Sequence, residues 1–201
     1  MSVTISPPRR PAKQGQGERL WTVEEFYRAY DTGEIDDSKR WELIQGRIIE
    51  KMLPGPRHSY LADVVAHSLR VALEPPLLVR EEKAVSLTYD TLLMPDITVV
   101  RGARTDYASR HPLPDEVIIL VEVADTSAAK DLGEKALQYT KAGITDYWVI
   151  LVNEAVIVRH RLPSAEGYQE VVRLAGEDVL SPLAMPTAAW TVDALLGHGE
   201  G

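Results

Sequence analysis

The sequence predicts a mixed α/β fold, a central mixed sheet flanked by helices, and three observations predict it. Two short apolar runs, residues 92–100 and 117–123, are rich in Val, Ile and Leu and bounded by Pro, Gly or charge, as strands buried on both faces are. Two other segments, residues 58–74 and the stretch between Ser127 and Gly143, set apolar residues at helical spacing along one face. The last third holds short β-rich runs separated by turn residues. At 201 residues, 45% apolar and 26% charged, the chain has material for one domain with a sizeable core, expected over residues 20–201.

In chain order, residues 1–19 carry Pro7, Pro8, Pro11, Gly15 and Gly17 and read as a flexible basic tail. Thr22 is placed to cap a short helix over residues 23–30, with Glu25 at the capping-box position. A polar loop over 31–39 leads to two short strands within 41–52, turning at Gln45-Gly46. After the loop 54–57, a helix over 58–74 lines up Leu61, Val64, Val65, Ser68, Leu69 and Ala72, and Pro75-Pro76 ends it. Residues 77–87 and 92–100 read as neighbouring strands with Tyr89-Asp90 in the turn. The strand 117–123 precedes a helix that starts near Asp125, Thr126 and Ser127 and stops at Gly143, with Leu132, Lys135, Ala136 and Tyr139 on one face. Strands at 147–152 and 155–161 flank Asn153-Glu154, another strand follows at 168–174, and Thr191 caps a small closing helix.

Two residues break this pattern of apolar strands. Asp96 follows Pro95 inside one run, and Glu122 stands between Val121 and Val123 in the other. An isolated carboxylate in such surroundings costs several kcal/mol to ionise or has its pKa pushed up, so each needs a partner. A divalent cation shared by the two acids would supply one. The helical face that packs on the sheet turns Lys135 inward, toward the strand of Glu122. Two carboxylates and a lysine at a strand end suit metal-dependent phosphodiester cleavage. The acids hold Mg²⁺, with Mn²⁺ as a substitute, through oxygen ligands; the metal activates water and polarises the phosphate; the lysine stabilises developing charge or orients the water. The loop 101–114 sets Arg101, Arg104, Arg110 and His111 against one acid, Asp106. It follows the strand of Asp96 and is the expected grip on a phosphate backbone. His58, at a helix start, is a further candidate for positioning substrate phosphate or a ligand water.

Composition excludes several classes. There is no cysteine, so disulfides and thiolate metal sites are ruled out. No apolar run approaches the roughly 20 residues of a bilayer span, and the N-terminal stretch lacks the apolar core of a secretion signal. The expectation is a soluble, cytoplasmic protein. The net charge is −8. Residues 1–19 carry Arg9, Arg10, Lys13 and Arg19 against Glu18, or +3, which leaves −11 for the remainder. An acidic body argues against a constitutive tight nucleic-acid binder, while leaving room for a nuclease whose acids serve a metal.

Taken together, Pro95-Asp96, Glu122-Val123, Asp131-x-x-x-Lys135, Tyr139 and Gly143 through Tyr147-Trp148 resemble the Uma-two restriction-endonuclease family of the PD-(D/E)XK nuclease superfamily. The resemblance runs from about Trp21 to Leu196 and takes in Trp41-Glu42-Leu43 and Gly55-Pro56-Arg57-His58. It implies a restriction-endonuclease-like core, a DNA substrate in duplex form, and Asp96, Glu122 and Lys135 as catalytic residues. It also implies Glu42 as a further metal ligand and Val123 as a ligand through its carbonyl. The superfamily pattern has lysine two residues after the acid, where this chain has Ala124. By resemblance that lysine has moved to the helix as Lys135. Cutting two strands suits a homodimer. Two other readings stand beside this one: a non-catalytic interaction module that retains the fold, and a hydrolase of small phosphoesters.

Overall fold

The computed structural model describes residues 19–197; the basic tail expected over 1–19 lies, apart from Arg19, outside the described residues. A helix α1 (Val23–Asp31) opens the chain on the expected capping box, with Thr22 Oγ1 accepting from the Glu25 amide and Glu25 accepting from the Thr22 amide. The hairpin β1 (Trp41–Ile44) and β2 (Arg47–Glu50) follows, then α2 (Pro56–Ala72), which begins two residues earlier than its apolar face requires because Pro56 suits the first helical turn. Next come β3 (Leu77–Glu81), β4 (Val85–Thr88), β5 (Thr91–Leu93), β6 (Ile97–Arg101) and β7 (Val117–Ala124). A helical segment then runs as α3 (Ala128–Lys130), a π-helical turn (Asp131–Lys135) and α4 (Ala136–Lys141). The chain continues through β8 (Asp146–Leu151), β9 (Val156–Ser164), β10 (Gly167–Ala175), the short β11 (Val179–Leu180) and β12 (Trp190–Thr191), and α5 (Val192–Leu195), capped by Thr191 as expected.

Six strands form the central sheet in the order β10-β9-β8-β7-β6-β3, and four form a smaller one in the order β2-β1-β5-β4. The larger sheet is mixed: β7 and β8 are parallel, every other pair antiparallel. A parallel pair needs a crossover, and the helical segment between Ala128 and Lys141 is that crossover. Strand β7 is buried along its whole length, so its side chains alternate between two cores. Ile119, Val121 and Val123 pack against Leu61, Val65 and Leu69 of α2. Leu120 and Ala124 pack on the other face with Tyr139 of α4, Tyr147, and Ile44 and Leu93 of the smaller sheet. Parity puts Glu122 on this second face, between the crossover helix and the smaller sheet.

Two expected strands are each divided between the sheets. Residues 77–87 become β3 in the large sheet and β4 in the small one, broken at Glu82, whose φ is +48°. Residues 92–100 become β5 and β6, broken at Met94, Pro95 and Asp96. Proline has no N–H for a ladder, and the flanking backbone groups are taken by side chains instead: the Met94 amide donates to Glu42 Oε1 at 3.1 Å, and the Met94 carbonyl accepts from Lys51 Nζ at 2.6 Å. Apolar composition could not separate one long strand from two that change sheets. The crossover helix starts at Ala128, and Leu132 is only partly buried, while Lys135, Ala136 and Tyr139 do share the packed face.

Far from Glu122 along β8, a buried node ties the C-terminal segment down. Asp146, fully buried, accepts from Arg161 Nε at 3.0 Å, Trp148 Nε1 at 2.8 Å and the Leu183 amide at 2.7 Å. Asp146→Ala strands Arg161 and is expected to cost about 3–5 kcal/mol in a denaturant titration, with the far-UV circular dichroism of the folded state unchanged.

Candidate active site

Asp96 stands just before β6, and β6 pairs with β7 through Ile97 opposite Val121. Extending that register by one residue puts Asp96 opposite Glu122. Where β6 has ended, the Asp96 carboxylate replaces it: Oδ2 accepts from the Val123 amide at 2.7 Å. Oδ1 accepts from Lys51 Nζ at 2.8 Å and lies 3.4 Å from His58 Nε2. Asp96 is nearly solvent-free. Burial pushes its carboxyl up, yet the contact with His58 and the charge of Lys51 outweigh burial and hold it well below the usual carboxylate range.

Glu122 lies in the opposite condition. Its Oε1 accepts from Lys135 Nζ at 2.9 Å and from Tyr139 Oη at 2.7 Å. Burial nonetheless dominates, Lys135 only partly offsets it, and the Asp96 charge adds to it; the carboxyl is pushed up to about 7. Lys135 itself is caged by acids, 2.9 Å from Glu122, 3.1 Å from Glu42 Oε1 and 3.7 Å from Asp131 Oδ1. Burial would lower its ammonium, but the three carboxylates win and raise it. The π turn between α3 and α4 makes this cage possible, because its wide turn buries both Asp131 and Lys135. Such turns recur at functional sites. Ser127 Oγ closes on Asp131 Oδ2, and burial raises the Asp131 carboxyl.

Glu42 is spoken for. Its oxygens accept from the Met94 amide, Lys135 and, at 3.1 Å, Lys130. Burial pushes its carboxyl up, the three neighbouring lysines outweigh that, and it stays low. Glu42 thus orders two lysines and the β5–β6 break. His58 faces Asp96, with Nε2 3.4 Å from Oδ1, and its ring is positioned to steady that carboxylate. Burial lowers its pKa and Asp96 raises it, with a net rise.

Arg101, Arg104 and Arg110 are not at this site. Asp96 precedes β6 and the arginine loop leaves its far end, so a five-residue strand, at about 3.3 Å per residue, stands between them. Arg110 is engaged by both oxygens of Glu116, at 2.6 Å each, and Arg101 reaches toward the Asp115 carbonyl at 3.5 Å. The expectation that this loop lies at the rim of the acidic pair is corrected on these grounds: Asp96 stands at the start of β6, and the loop leaves the other end.

Sequence reasoning missed Lys51 and Lys130. A signal for Lys51 existed. In the hairpin Glu42 pairs with Ile49, so period-two alternation puts Lys51 on the face of Glu42. No comparable signal marks Lys130, whose placement depends on where the π turn falls.

The site thus gathers four buried carboxylates, Glu42, Asp96, Glu122 and Asp131, around Lys51, Lys130 and Lys135. Among the described residues no group of three or more His, Cys, Asp or Glu is arranged to hold a metal ion. The donor chemistry still fits a hard cation: Asp96 and Glu122 are cross-strand carboxylates, the oxygen donors such an ion takes.

With the geometry in place, its relatives can be named. The Uma2 family, described as "Putative restriction endonuclease", matches residues 23–194, and the chain belongs to this family. Among solved structures it is similar to a putative nuclease belonging to DUF820 from Anabaena variabilis ATCC 29413, with a TM-score of 0.70 and 17% identity over 88% of this chain and 98% of that one. That likeness bears on the fold and agrees with the mixed sheet and flanking helices. No curated protein matches the chain.

The raised Glu122 carboxyl has a sign that can be checked. A folded-state pKa of about 7, above the unfolded value of about 4.3, means that the folded protein keeps a proton the unfolded chain has lost. Stability from this group is full below pH of about 4 and declines as pH rises toward 7. Metal-free wild type should lose stability relative to Glu122→Gln across that window, measured by urea unfolding at a series of pH values. A difference that is flat with pH contradicts the shift.

Proposed function

We propose that the chain is a Mg²⁺-dependent endonuclease that hydrolyses phosphodiester bonds of duplex DNA. Family membership and fold support a nuclease. The observation that carries the finer reading is the pair Asp96 and Glu122, opposite each other at the end of the strand ladder, with Lys135 2.9 Å from Glu122. Mg²⁺ or Mn²⁺ held there would polarise the phosphate and lower the pKa of a bound water.

The chain's own residues do the rest. Asp96 and Glu122 would hold the ion, with the carbonyl of Val123, whose amide already meets Asp96. His58 steadies Asp96. Lys135, only 4% exposed, stands behind Glu122 as a fixed positive charge, worth more in this dry setting than in water. Lys51 and Lys130, with side chains 12% and 30% exposed, are the ammonium groups nearest the solvent side. Directly after Lys51 in the chain, Met52 and Leu53 are 79% and 81% exposed. Two-strand cutting would be served by a two-fold pair of such chains.

One observation favours the interaction-module reading: the described residues hold no ready-made three-ligand metal group, and each site acid already has a lysine or amide partner. A plasmid-cleavage assay separates the two. Supercoiled DNA should be nicked or linearised by wild type with Mg²⁺ or Mn²⁺, and Asp96→Asn and Glu122→Gln should each slow cleavage by about a hundredfold or more with the fold retained by circular dichroism. Cleavage of bis(p-nitrophenyl) phosphate without cleavage of DNA moves the assignment to small phosphoesters. Failure on both substrates, with no metal bound, supports the module.

A further inference from the structure

We propose that Lys51 is an exchangeable counter-ion: its ammonium occupies Asp96 Oδ1 until a divalent cation takes that oxygen, and it then turns outward, on the side of the exposed Met52 and Leu53, to meet a substrate phosphate. The proposal rests on the reading of Asp96 as a metal ligand.

Asp96 has two oxygens with different duties. Oδ2 is fixed by the Val123 amide inside the sheet. Oδ1 is held by Lys51 Nζ at 2.8 Å, with His58 Nε2 further off at 3.4 Å. It is the oxygen that can change partner while the Asp96–Val123 contact stays intact.

The three lysines are not equivalent. Lys135 touches three carboxylates and is 4% exposed, so removing its ammonium would leave several buried charges unpaired. Lys51 touches one carboxylate and one carbonyl and is 12% exposed. Its backbone is anchored, since its amide donates to the Arg40 carbonyl at 2.8 Å, while its side chain has four rotatable bonds through which the ammonium can be redirected. Immediately after it, Met52 and Leu53 lie exposed, so Lys51 stands at the edge between the packed hairpin and solvent.

Charge makes this an exchange and not an addition. A divalent ion within ligand distance of Asp96 Oδ1 would stand within a few ångströms of the ammonium, and like charges that close repel by several kcal/mol at protein dielectric. The released ammonium has a new partner only when a phosphate is present, where it makes a charge-assisted hydrogen bond. Metal and nucleic acid therefore strengthen each other's binding, and by linkage they do so reciprocally. Without nucleic acid the metal competes against Lys51 and binds weakly.

The test measures Mn²⁺ binding by electron paramagnetic resonance, without nucleic acid, in wild type, Lys51→Met and Lys130→Met. The last variant removes the same charge from the same cluster without touching Asp96. Lys51→Met is expected to bind Mn²⁺ about tenfold tighter than wild type and Lys130→Met by less than about threefold. Equal tightening in the two variants reduces Lys51 to a distant charge and overturns the exchange, as does no tightening in Lys51→Met. In case that variant fails to fold, the wild type carries a second readout: the ¹⁵N-ammonium resonance of Lys51, assigned through Lys51→Arg, should shift on addition of Mg²⁺ while that of Lys135 stays. A Lys51 resonance that stays put with Mg²⁺ bound overturns the proposal. If wild type binds Mn²⁺ but Asp96→Asn binds it equally well, the reading of Asp96 as a ligand falls and the exchange falls with it; if Asp96→Asn alone loses the ion and Lys51→Met matches wild type, only the exchange falls.

Discussion

The Asp96 carboxylate at the end of β6 is the contact on which the rest depends. At Met94, Pro95 and Asp96 the chain leaves the four-stranded sheet and enters the six-stranded one. Every backbone group exposed by that step must find a partner in a buried setting. Glu42 accepts the Met94 amide, Lys51 donates to the Met94 carbonyl, and Asp96 accepts the Val123 amide. The joint between the two sheets thus shares Glu42, Lys51 and Asp96 with the candidate site.

Fold stability alone gives little reason for such a cluster. Buried ion pairs gain little over well-packed apolar side chains of similar volume, and breaking one is costly. Glu122 shows the strain most plainly: with Lys135 and Tyr139 both on Oε1, burial still holds its carboxyl above the ordinary range. Asp96, one strand away, is driven in the other direction by His58 and Lys51. Two neighbouring carboxyls with oppositely shifted proton affinities are a recurring mark of reactive centres. A cation between them would relieve the one without disturbing the amide contact of the other.

Much of this was legible in the sequence. Asp96 and Glu122 stood out because each interrupts an apolar run, and Lys135 because it shares a helical face with Ala136 and Tyr139. The capping box at Thr22, the turn at Tyr89-Asp90 and the cap at Thr191 follow from short-range chemistry, and the structure has them. What stayed hidden depends on long-range arrangement. Composition in 77–87 and 92–100 is equally apolar whether the strand stays in one sheet or changes sheets. The π turn that buries Asp131 has no marker in helical periodicity. Arg101, Arg104 and Arg110 follow Asp96 closely in sequence, but the five residues of β6 hold them apart from it in space. Lys51 was recoverable from the parity of the β1–β2 hairpin, once Glu42 was known to face inward.

The pair of carboxylates at Asp96 and Glu122 is proposed as a cation's place. Anomalous diffraction at the manganese edge from crystals grown with Mn²⁺ tests it most directly. The account predicts one strong peak bridging the carboxylates of Asp96 and Glu122, with the Lys51 ammonium withdrawn from Asp96 Oδ1. A map in which Lys51 still sits on Asp96, and the manganese lies elsewhere or is absent at saturating concentration, would contradict it.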